Sequence, residues 1–144
     1  MTQVDFYVLK DASEQERLRF ACRLTEKIVR MDKKVFIHTA SLNQTHQLDD
    51  LLWTFQQGSF VPHEVFQADQ ENPAPVRLSH EAEPTVGDDV LINLATDVPL
   101  FFSQFERVAE LINQVPETRN QGRKRYGFYR DRGYPLKTHE INPS

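Results

Sequence analysis

The chain has 144 residues, 39% of them hydrophobic and 26% charged, with a formal charge of −4. That describes one domain with enough apolar side chains to bury a core, expected to span residues 1–144, and it argues against a two-domain enzyme. A single cysteine, Cys22, excludes an internal disulfide and a Cys-based zinc site and fits a reducing compartment, so the cytoplasm is expected. No run approaches the roughly 18 apolar residues of a membrane span, and the opening MTQVDFYVLK lacks the basic charge of a signal peptide, so neither membrane insertion nor secretion is expected. The glycines are Gly58, Gly87, Gly122, Gly127 and Gly133, from which neither a G-x-x-x-x-G-K-[ST] loop nor a G-x-G-x-x-G fingerprint can be assembled.

Val4, Phe6 and Val8 alternate with Asp5, Tyr7 and Leu9, which predicts a first strand. Ser13, followed by Glu14 and Glu16, opens a segment in which Leu18, Ala21, Cys22, Leu24, Ile28 and Val29 recur at helical spacing. Val35-Phe36-Ile37 is a continuous apolar run, as in a strand covered on both faces. Ser41 with Gln44 forms a capping box, and Leu48, Leu51, Leu52 and Phe55 make the apolar face of a second helix that Gly58 ends. A polar linker is expected from about Gln67 to Pro75, followed by strands at Val76–Leu78 and Val90–Leu94. From Pro99, the positions Phe102, Phe105, Val108, Ala109 and Ile112 suggest a helix ended by Pro116, and a last helix runs from about Glu117 to Asp131. The alternation predicts an α/β fold: a single-domain, mostly parallel sheet with helices on both faces, Rossmann-like but without a nucleotide-binding motif.

Charge is polarised along the chain. Glu117–Lys137 carries a net +5 and the remainder −9. A local cationic surface on an acidic protein suggests an anionic partner met at one place. Tyr126, Phe128, Tyr129 and Tyr134 interleave with these charges, so the segment offers flat apolar surfaces beside guanidinium groups. The plainer alternative is that Phe128 and Tyr129 simply dock the helix while the charges are solvated. A second unusual stretch, LLWTFQQGSFVPHEVF, crowds Trp53, Phe55, Phe60, Val61, Pro62, Val65 and Phe66 around a helix end and loop, either as a protein-docking patch or as core.

Catalytic candidates are few. His38 and Asp97 fall at expected strand ends and could share one crevice as base and orienting carboxylate, but no serine or cysteine nucleophile motif accompanies them. Cys22 lies on the apolar stripe of the first helix, which favours an inert thiol. His46, His63, His80 and His139 lack metal-ligand spacing, so no metal and no cofactor is expected.

Phe6-Tyr7-Val8-Leu9, Leu48-Asp49 through Leu52-Trp53, Ser59-Phe60-Val61-Pro62-His63, Ala74-Pro75-Val76, Asp89 to Leu94, and Arg125-Tyr126 through Tyr129-Arg130 with Gly133 together resemble the chi-subunit family of bacterial DNA polymerase III. The resemblance implies a non-catalytic accessory subunit of the clamp-loader assembly. It would sit in the bacterial cytoplasm at the replisome, contacting nucleic acid mainly indirectly. It also implies two partners: the psi subunit, and the acidic, Phe-ending tail of single-stranded-DNA-binding protein. Trp53, Phe60, Val61, Pro62 and His63 would form the psi-facing surface, where an XPD-like helicase could compete. Arg123 and Tyr126 match tail-binding positions. Gly127 stands where a known family member has lysine, so Lys124, Arg119 and Arg130 enter as replacements for that charge. Two other readings stay open from the residues: a module that binds single-stranded DNA directly through its basic helix, and a small α/β enzyme using His38 and Asp97.

Overall fold

The computed structural model describes residues 1–10, 13–66, 74–81 and 89–142. In chain order the elements are β1 (Gln3–Leu9), α1 (Glu14–Arg30), β2 (Val35–His38), α2 (Leu42–Thr54), β3 (His63–Val65), β4 (Val76–Ser79), β5 (Val90–Asn93), a 3₁₀ turn (Phe102–Gln104), β6 (Arg107–Ile112), α3 (Pro116–Asp131) and β7 (Leu136–Ile141). The strands form one seven-stranded sheet in the order β3-β4-β2-β5-β6-β1-β7. Every pairing is parallel, so the expected mostly parallel sheet is fully parallel.

Local chemistry explains the first helices. The Ser13 hydroxyl accepts from the Glu16 N–H, and Ser41 does the same for Gln44, each satisfying one orphan donor of a first turn. Gln44 reaches back to accept from the Ala40 N–H at 2.7 Å. Past the end of α2, Gly58 takes φ +81°, a left-handed conformation that L side chains avoid.

Strand alternation sorts the core into two layers. Val35, Ile37, Val90, Ile92, Ala109 and Leu111 pack beneath Leu18, Ala21, Leu48 and Leu52 of α1 and α2. On the opposite face Val4, Phe6, Phe36, Leu91, Val108 and Ile112 meet Phe101, Phe102, Phe105 and Tyr129 of α3. Helices therefore cover both faces, as the sequence predicted.

The helix expected from Pro99 to Pro116 does not form. A 3₁₀ turn leads into β6, a strand between β1 and β5, and Pro116 opens α3 at its first turn instead of closing a helix. The segment RVAELI carries spacing compatible with either period, and burial on both faces of a central parallel strand decides for the extended form. Strands β3 and β7, unanticipated from sequence, are the two edges of the sheet. Residues 67–73 of the expected linker lie outside the described residues.

Candidate docking surfaces

The cationic segment becomes α3, held on the sheet by a buried polar cluster. Arg125 donates from Nε to Glu110 Oε1 at 2.8 Å and from one terminal nitrogen to the Thr96 carbonyl at 2.9 Å. The Tyr129 hydroxyl and Asn93 Nδ2 donate to Glu110 Oε2 at 2.7 and 3.0 Å. Glu110 is fully buried and Arg125 nearly so, which sets Arg125 apart from the exposed cations of the helix. Burial, followed by the Glu110 charge, raises the Tyr129 phenol far above its ordinary value.

This anchoring sets the remaining cations. At about 100° per residue, Arg119, Arg123, Tyr126 and Arg130 share one stripe, while Lys124 falls about 100° from Arg123 on the opposite flank. Tyr126 is half-buried and meets Phe6 of β1 edge-on, with ring centroids 5.1 Å apart. Leu136, Thr138 and Glu140 of β7 are in register with Val4, Phe6 and Val8, so they share the α3 face and lie beside that stripe. The stripe and β7 thus place a half-buried ring, exposed guanidinium groups and a strand edge on one flank of α3. Arg119 and Arg123 are exposed and make no ion pair among the described residues, whereas Arg130 pairs with Asp131 at 3.3 Å. LKTHEI gives little sequence signal for the β7 wall, since its two apolar residues, Leu136 and Ile141, fall on opposite faces of the strand.

On the other flank Lys124 borders a cavity of about 360 Å³ with Thr96, Asp97, Val98, Gln121, Arg125 and Phe128. Phe128 packs against Phe102, and the Arg132 guanidinium lies 3.7 Å above the Phe128 ring. Of the five residues expected to receive an acidic tail, four are brought together and Lys124 is separated from them.

The aromatic loop forms a second surface. Trp53 is 52% exposed and Phe60 69% exposed, with ring centroids 5.5 Å apart, and Pro62 is exposed beside them. Val61 is core, at 1% exposure, and does not belong to this surface. The His63 ring is buried beneath Trp53, its nitrogens meeting the Val61 and Asp49 carbonyls at 2.6 and 3.0 Å, so it supports the patch and does not face outward. The loop is tied to α1 twice: Arg19 donates to the Phe55 carbonyl at 3.1 Å, and the Ser59 hydroxyl donates to the Glu26 carboxylate. Val65, on edge strand β3, adds a partly exposed apolar side chain.

His38 and Asp97 share neither a hydrogen bond nor a cavity among the described residues. His38 packs edge-on against Phe101 at 5.5 Å, and its burial lowers its pKa. Cys22 is fully buried, and burial pushes its thiol up to about 12, an inert state. Among the described residues no helix is long and apolar enough to cross a membrane.

Comparison with known proteins places the chain in a family. The chain matches the family described as "DNA polymerase III chi subunit, HolC" over residues 1–137. It is 43% identical over 141 residues to the Pseudomonas aeruginosa protein named DNA polymerase III subunit chi, covering 98% of each chain. Proteins of the same name from Haemophilus influenzae and Escherichia coli are 29% and 27% identical, covering 94% and 96% of this chain and 95% and 97% of theirs. The crystal structure of T4 UvsW matches 98% of this chain and 42% of its own with a TM-score of 0.66 at 12% identity, a likeness of fold alone.

Proposed function

The chain belongs to the DNA polymerase III chi subunit family, replication accessory subunits, and from that premise we propose that it is a non-catalytic adaptor of the clamp-loader assembly. It joins the psi subunit through the Trp53, Phe60 and Pro62 patch and receives the acidic C-terminal tail of single-stranded-DNA-binding protein on the α3 stripe. The observation that carries this reading is the juxtaposition on α3 of exposed Arg119 and Arg123, which make no ion pair among the described residues, with Tyr126, half-buried over Phe6. An acidic peptide ending in phenylalanine presents a ring, an α-carboxylate and upstream aspartates. It therefore needs an apolar slot with a cationic rim.

A short tail buries little surface, so one peptide binds at about micromolar affinity. Several tails on one partner raise effective strength by multivalency. The test titrates the protein with a peptide ending in Asp-Ile-Pro-Phe and with the same peptide lacking its last residue. Arg123→Ala is expected to weaken the tail peptide while sparing psi, and Phe60→Ala the reverse. Equal loss of both partners in both variants, or indifference to the terminal phenylalanine, overturns the reading.

A further inference from the structure

Neither docking surface uses the N-terminal end of the sheet beneath the last turn of α1. There a cavity of about 270 Å³ is floored by Tyr7, Leu24 and Ile28, with Lys27, Lys33 and Arg107 among its walls. Asp5 is the one carboxylate among its lining residues, and both of its oxygens are engaged. Oδ2 accepts from Arg107 Nε and a terminal nitrogen at 3.2 and 2.9 Å, and Oδ1 meets His139 Nε2 at 3.0 Å. Among the described residues Lys27 makes no ion pair, and Lys33 makes an exposed contact with Glu106 at 3.6 Å. The cavity thus combines an apolar floor with positive charge that its own carboxylate does not cancel.

Rings and cations continue from the cavity toward the edge of the sheet. Tyr7 stacks on His139 of β7 at 4.8 Å and 18°, and meets Phe20 of α1 at 5.5 Å. Arg23 lies over Phe20 at 5.8 Å, and Lys137 is the register partner of Asp5 on the same face. His139 lies on edge strand β7, and its side chain is 39% exposed. Stackable rings beside spaced cations on a sheet face are the elements of sequence-tolerant single-strand recognition.

We infer that this face binds single-stranded nucleic acid. One base enters the cavity against Leu24 and Ile28, its flanking phosphates lie on Lys27, Lys33 and Arg107, and a neighbouring base stacks on His139. A strand fits better than a free nucleotide because Arg23 and Lys137 extend the positive track beyond the cavity. This site is separate from α3 and does not depend on the adaptor reading.

The test is fluorescence anisotropy of the whole chain with a labelled oligodeoxythymidylate of about 15 nucleotides, across a salt series. The double variant Lys27→Glu/Lys33→Glu is expected to weaken binding at least ~tenfold and to reduce the salt slope by about 2. His139→Ala is expected to weaken it about fivefold with the slope retained, thermal melting confirming that each variant folds. Absence of binding at low salt overturns the inference. So does a loss with Arg123→Glu on α3 while Lys27→Glu/Lys33→Glu binds normally, since the strand would then lie on the basic helix. Thymidine monophosphate competing as well as the oligomer, or an acidic peptide displacing it at equal concentration, also overturns it.

Discussion

Tyr129 of α3 donates its hydroxyl to Glu110 of β6 at 2.7 Å, and both side chains are fully buried. Through this bond and the Arg125–Glu110 pair, the helix that displays the exposed cations is fixed to the centre of the sheet. A buried carboxylate with three side-chain donors is stable only while its partners remain, so the cluster links the position of Arg119 and Arg123 to the core.

Removing one side of that cluster should therefore cost far more than removing a surface charge. Glu110→Gln leaves Arg125 as an uncompensated buried cation, and a loss of about 3–5 kcal/mol is expected in urea denaturation. Tyr129→Phe keeps the ring packing against Phe6 and Phe102 and removes a single donor, so about 1–3 kcal/mol is expected. Comparable losses in the two variants would contradict the assignment of the ion pair as the dominant contact.

Alkaline pH should destabilise the fold through two buried groups. Cys22 is raised to about 12, mainly by burial, against about 8.5 in an unfolded chain, and Tyr129 is raised by burial and then by Glu110. The folded protein holds protons that the unfolded chain releases, so this stability is intact below about pH 8.5 and declines as pH rises toward 12. Equilibrium unfolding from pH 8 to 10 should show the decline, and Cys22→Ala should flatten its lower part. In native protein the thiol should react with a disulfide reagent only at the rate of unfolding.

The flanks of α3 give a sharper prediction for partner binding. Arg123 shares its stripe with Tyr126, while Lys124 borders the cavity with Phe128. Arg123→Ala should weaken an acidic tail peptide about fivefold at low salt and less at high salt, whereas Lys124→Ala should change it less than about twofold. Calorimetric titration at two ionic strengths distinguishes the two, and equal effects would mean that the peptide spans both flanks.

The elements that were legible in the sequence are those whose signals are local. Ser13 and Ser41 cap their helices as the residues imply, and Val35–Ile37 is the buried strand that its apolar run suggests. The segment Arg107–Ile112 misled because its apolar positions suit both periods, and only its parallel partners β1 and β5 select the strand. Edge strands β3 and β7 carry weak signals, since one side of each is unpaired and their side chains are mostly polar or exposed. For the candidate docking surfaces, residue type singled out the two regions, but which side chains face outward depends on packing. Val61 and Arg125 sit within the motifs yet point into the interior.

That distinction can be measured on neighbouring residues of one loop. Val61 is 1% exposed and packs with Leu48, Leu52 and Phe55, so Val61→Ala removes two buried methyl groups and should cost about 2 kcal/mol of stability. Phe60, 69% exposed and touching Trp53, should change stability by less than about 0.5 kcal/mol when replaced by alanine. If the exposed rings form the psi-docking surface, the partner affinities reverse that order: Phe60→Ala weakens the complex strongly, while folded Val61→Ala binds nearly as the parent does. Urea denaturation and a pull-down titration on the same two variants supply both measurements. A Val61→Ala protein that is as stable as the parent but fails to bind psi would put Val61 at the interface and contradict the packing described for it.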